Sequence, residues 1–227
     1  MQAILDAVFM LIILLDLAML AVSRLASCIR IFAMQSLLLA LLPLAADTLH
    51  VGIPGRHALL IAGVTIALKA IFIPRVLERI IRTGEIHREV EPFIGFTASV
   101  MIGALLAAGS FAVARRLPLA EAPLSDLLLP ASLSTVLIGL LVLISRVKAI
   151  TQVIGFLVVE NGIFIFGLML LPQTPLLVEL GILLDVFVGV FIMAIVVHHI
   201  RREFDHMDTH LLAVEANSAG AASGGEG

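Results

Sequence analysis

Four polar side chains occupy positions where a membrane-spanning chain would ordinarily carry leucine: Gln35, Lys69, Glu160 and Asp185. Glu160 lies in an apolar segment beginning at Thr151, and Asp185 in the next, which ends near Ile200; the turn Leu171-Pro172-Gln173-Thr174-Pro175 joins them. At about 1.5 Å of rise per residue, Glu160 lies roughly 16 Å back from Leu171 and Asp185 roughly 14 Å on from Leu176. A tight turn thus places both acids at similar depth on neighbouring antiparallel helices. Ionised acids at a bilayer centre cost roughly 2.5–3.5 kcal/mol each on insertion scales, so they face a bundle interior and mark ion paths or proton relays.

Lys69 stands near the centre of its own apolar run, too deep for its ammonium to reach water along the helix. Desolvation favours the neutral form of an ionisable side chain and a neighbouring opposite charge favours the charged one. Two uses fit such a lysine: proton exchange, or a fixed ion pair with Glu160 or a partner subunit. Gln35 can donate and accept hydrogen bonds without titrating, as a ligand of a water wire or as an interhelical clasp. Glu160 precedes a polar break, Asn161-Gly162, and a purely structural hydrogen bond is its alternative use. Asp185 has Gly181 and Gly189 four positions to either side, a pattern that brings helix backbones close and fits either a shielded carrier or a plain packing seam. Together the four residues predict a lateral proton path in the membrane plane, completed by water. Asp16, several residues from the inner end of the first apolar run, is an additional candidate acid, whereas Asp6 lies near the outer surface.

The elements that must hold these groups follow from composition. Hydrophobic residues make up 61% of the 227 and charged residues 14%, with a mean hydropathy of +1.16, which predicts an all-α, polytopic transmembrane bundle. Seven spans can be drawn, at 3–22, 29–46, 57–77, 93–114, 127–145, 149–171 and 176–198. Loops then alternate sides. Ten Lys and Arg fall on one side and three on the other, which predicts an outer N-terminus and a cytoplasmic C-terminus. The mixed-charge stretch 78–91 reads as a solvated extension of the third helix or a dock for a partner's cytoplasmic domain, with Pro92 opening the fourth. Gly95, Ser99, Gly103 and Ala107 recur every fourth residue of that fourth span, a close-packing face.

Several chemistries are disfavoured. The single cysteine, Cys28, excludes an internal disulfide and a cysteine-ligated iron–sulfur cluster. His198, His199, His206 and His210 sit among charged residues at a predicted solvated helix end and are not read as metal ligands. Phosphate-loop, zinc-helix and nucleophile-elbow motifs are absent, so no catalytic residue is assigned. The N-terminus lacks the positive region of a secretory signal and reads as a retained helix. A net charge of -3 without a basic tract gives no footprint for nucleic acid.

The run Ser145-Arg146-Val147-Lys148 through Ile154-Gly155 to Glu160-Asn161-Gly162 resembles the second helix of the small K subunit of respiratory complex I, and Leu184-Asp185-Val186-Phe187-Val188-Gly189 its third. That family carries protons on two glutamates, so the resemblance implies Glu160 as the first carrier and Asp185, one methylene shorter, as the second. Over about residues 20–212 the chain is more similar to component E of hydrogenase-4 type membrane complexes, which adds four N-terminal helices to a K-like end. Lys69-Ala70-Ile71-Phe72-Ile73-Pro74-Arg75 resembles its third helix and Phe204-Asp205-His206-Met207-Asp208-Thr209 its C-terminal part.

The resemblance implies two membrane regions, four helices in 1–125 and a K-like three-helix unit in 126–203, and the composition after about residue 211, which cannot bury a core, predicts a largely disordered cytoplasmic tail in 204–227. The resemblance also implies antiporter-like and H-subunit-like partners in a bacterial or archaeal cytoplasmic membrane, with nickel–iron and iron–sulfur centres held by partner subunits and no cofactor in this chain. The expected function is a proton-conducting subunit of an energy-converting hydrogenase or formate hydrogenlyase-like complex, Lys69, Gln35, Glu160 and Asp185 being its proton-transfer residues. A structural assembly subunit and a self-sufficient ion transporter are the alternatives; the latter usually shows two corresponding halves, and no internal repeat is found.

Overall fold

The computed structural model describes residues 2–51, 55–83, 94–117 and 125–168. Outside them lie the seventh predicted span with Gly181, Asp185 and Gly189, the turn preceding it, the four histidines, the tail 204–227 and most of the charged stretch 78–91. Among the described residues every regular element is helical: α1 (Gln2–Ala21), α2 (Leu25–Val51), α3 (Arg56–Thr65), a π-helical segment (Ile66–Phe72), α4 (Ile73–Thr83), α5 (Phe96–Ala114), α6 (Leu128–Ser145) and α7 (Ala149–Gly167). Among the described residues six stretches are long and apolar enough to cross a membrane, and they match the first six predicted spans to within a few residues. The chain is a polytopic transmembrane helix bundle. Large exposed side chains such as Ile4, Leu60, Leu105 and Ile144 suit a lipid-facing exterior.

The third span is not one regular helix. Between α3 and α4 the backbone widens for seven residues, and the Ile73 N–H reaches the Leu68 carbonyl five residues back. Pro74 follows and has no N–H to offer the preceding turn. Hydropathy detects the span but not this change of period, because all seven residues except Lys69 are apolar.

Glycine sets the closest packing. The three-residue link between α6 and α7 makes them antiparallel neighbours, and Gly139, Gly155 and Gly162 let their backbones meet. A Cβ on Gly139 would lie 2.7 Å from the Val159 nitrogen, one on Gly155 2.7 Å from the Leu143 nitrogen, and one on Gly162 2.7 Å from the Val136 nitrogen. α5 buries Ser99, Gly103, Ala107 and Ser110, and Gly103 receives the Leu20 and Leu17 side chains of α1. Three of the four residues in the predicted packing stripe thus face inward, while Gly95 stays exposed at the helix start.

Apolar core residues separate by depth. Toward one end Met19, Ile29, Phe32, Ile73, Leu77, Ile154 and Leu157 pack together. Toward the other, Leu5, Phe9, Ile12, Leu39, Leu42, Leu128 and Ile165 form a second cluster. α1, α2 and α7 each contribute to both, and each carries its buried polar residue at the crossing between them.

Candidate functional site

That crossing holds a connected chain of polar groups. Thr135 on α6 donates its hydroxyl to Asp16 Oδ2 at 2.7 Å, and Gln35 on α2 donates Nε2 to Asp16 Oδ1 at 2.7 Å. Asn161 Nδ2 on α7 donates to Gln35 Oε1 at 3.3 Å. Lys69 Nζ in the π segment donates to Asn161 Oδ1 at 3.3 Å and lies 3.2 Å from Glu160 Oε1. Its ammonium also stands 5.8 Å from the centroid of the Phe164 ring. All six polar side chains are buried, none above 4% exposure. Five helical segments far apart in sequence therefore converge on one polar layer between two apolar ones.

Local structure explains the convergence. Glu160 and Asn161 are adjacent on α7, so one turn offers Lys69 both a carboxylate and an amide oxygen. Lys69 is the middle residue of the π segment, and Gln35 stands about three turns into its helix. Glycine contact between α6 and α7 leaves no side-chain bulk to separate the two helices near this layer. The arrangement can hold charge away from lipid, exchange a proton between lysine and carboxylate, and align two amides without their titrating.

Of the sequence-derived residues, Gln35, Lys69 and Glu160 come together here, and Asp185 lies outside the described residues. Asp16 joins the chain at its far end. Thr135 was not anticipated: a hydroxyl in an apolar helix resembles a local back-bonding residue, and only the run Ser132-Leu133-Ser134-Thr135 hints at more. Asn161 was visible as a polar break, but its link to Gln35, 126 positions away, has no local signature.

Arg146 departs from the loop cation that charge counting suggested. It is 1% exposed, donates Nη2 to the Leu20 carbonyl at 2.9 Å and lies 5.1 Å from the Phe96 ring centroid. Burial lowers its guanidinium below the ordinary arginine value, an effect nearby Cys28 opposes. It clasps the C-terminal end of α1 to the α6–α7 link. Among the described residues no three His, Cys, Asp or Glu side chains gather as a metal site.

No family profile and no solved structure matches the chain. It is similar to the uncharacterized protein Rv0085 of Mycobacterium tuberculosis, at 31% identity over 182 residues, spanning 79% of this chain and 81% of that protein.

Proposed function

The chain belongs to one family with Rv0085 of Mycobacterium tuberculosis, and we propose that it serves as a proton-translocating membrane subunit of an energy-converting hydrogenase or complex I-like assembly. The observation supporting this reading is the Lys69–Glu160 pair, 3.2 Å apart inside a buried polar layer. Transfer of one proton from Lys69 Nζ to Glu160 Oε1 turns an ammonium and a carboxylate into an amine and an acid. The transfer removes both charges from the low-dielectric interior, so its direction responds to the local field. Redox events in a partner arm would supply that change, with Asp185 as the next acceptor. Nickel–iron and iron–sulfur centres would belong to partner subunits, this chain having one cysteine. The lysine and arginine bias orients the N-terminus outward and the C-terminus to the cytoplasm of a bacterial or archaeal cell.

Replacing Glu160 with Gln in the native complex tests the relay. Proton translocation should fall by about 10²-fold, a usual contribution of a positioned proton-transfer group, while a native gel shows the complex intact. Normal translocation in that variant would overturn the role. A second reading has direct structural support, because the same ion pair also suits an assembly subunit that uses charge only to lock helices. It predicts that the native gel loses the complex.

A further inference from the structure

We infer that Asp16 is a second proton-holding group of the buried layer, with Thr135 as the hydroxyl that serves both of its protonation states. The inference rests on the relay reading and extends it to α1. From Lys69 to Asp16 the hydrogen bonds run one way, Lys69 donating to Asn161, Asn161 to Gln35 and Gln35 to Asp16, while Thr135 donates to Asp16 from the other side. The amides present donors toward Asp16 and acceptors toward Lys69, an alignment that favours an anion at one end and a cation at the other. Neutral amides relay orientation rather than protons, so a proton reaching Asp16 must come from water.

Asp16 has two unlike partners. Gln35 Nε2 can only donate, at 2.7 Å to Oδ1. Thr135 Oγ1, 2.7 Å from Oδ2, can donate to a carboxylate or accept from a carboxylic acid. When Oδ2 takes a solvent proton, the Thr135 hydroxyl can turn its own hydrogen to a carbonyl one turn back on α6. Both states of Asp16 thereby stay hydrogen-bonded in place.

Other charges around it are few. α5 contains no ionisable residue, and neither does α6 between Leu128 and Ser145. Arg146, at the end of α6, reaches the Leu20 carbonyl four residues beyond Asp16. On α2 the buried Cys28 stands seven positions before Gln35, and Lys69 and Glu160 connect through the amides. Asp16 therefore senses the Lys69–Glu160 pair chiefly through Gln35 and Asn161.

The test is infrared difference spectroscopy of carboxyl C=O stretches across a pH series, on the full chain with its native partners in lipid. Asp16→Asn should remove one protonated-carboxyl band and move the titration midpoint of the band lost in Glu160→Gln by about one pH unit, as coupled sites do. Thr135→Val should keep the Asp16 band but raise its frequency, and Thr135→Ser should restore it. An unchanged set of bands in Asp16→Asn overturns the inference. So does an unmoved Asp16 band in Thr135→Val; if Asp16→Asn does not fold, Asp16→Glu assigns the band by its shift instead. Unchanged bands in Asp16→Asn with translocation lost in Glu160→Gln would leave the relay reading standing without Asp16. A coupled Asp16 band with translocation intact in Glu160→Gln would do the reverse.

Discussion

Lys69 divides its ammonium between the Glu160 carboxylate and the Asn161 amide, and the balance decides what each substitution costs. Removing one member of a buried ion pair strands the other charge, which typically costs about 3–5 kcal/mol. Lys69→Met should therefore lower the melting temperature in mild detergent markedly, and adding Glu160→Gln should restore most of it. Additive losses would show that the pair is not coupled. At this scale the sequence was legible where a residue was conspicuous: a lysine, a glutamate and a glutamine in apolar runs need no structure to be noticed. Thr135 and Asn161 were opaque as ligands because their role depends on partners on other helices, and a hydroxyl or amide in a span has cheap local uses.

Among elements, the α6–α7 pair makes the sharpest demand on side-chain size. A Cβ on Gly155 would meet backbone, the Leu143 nitrogen at 2.7 Å and the Gly139 oxygen at 3.0 Å, and backbone cannot turn aside as a rotamer can. Gly155→Ala should cost about 1–3 kcal/mol by overpacking. Gly109→Ala on α5, where nothing lies within 4 Å, should be neutral or stabilise by up to about 1 kcal/mol through helix propensity. Thermal melts of both variants in one detergent make the comparison, and equal losses would contradict the contact. The spans were readable because hydropathy reports length and apolar content. The π segment was not, since widening the backbone turn changes no residue's polarity. The small-residue stripe of α5 was readable from its four-residue interval.

Among the described residues, six buried polar side chains form a layer between two apolar clusters, and the lysine and arginine bias of the sequence predicts an orientation for it. With the buried Cys28 replaced by alanine, single cysteines can report it. A cysteine at Leu117 should react with an impermeant maleimide in intact cells and one at Arg79 only after lysis; the opposite pattern would invert the topology. Charge counting found this bias, yet it treated Arg146 as one more loop cation, because burial of a guanidinium depends on the Leu20 carbonyl and Phe96 ring that receive it. The Asp16 contacts also bear on biogenesis. Its bond to Gln35 spans 19 positions and that to Thr135 spans 119, so at ~5–20 residues per second the ribosome needs roughly 5–20 s more to deliver the second. During that interval the newly inserted acid already has an amide from the next helix, which shelters it until the later hairpin arrives.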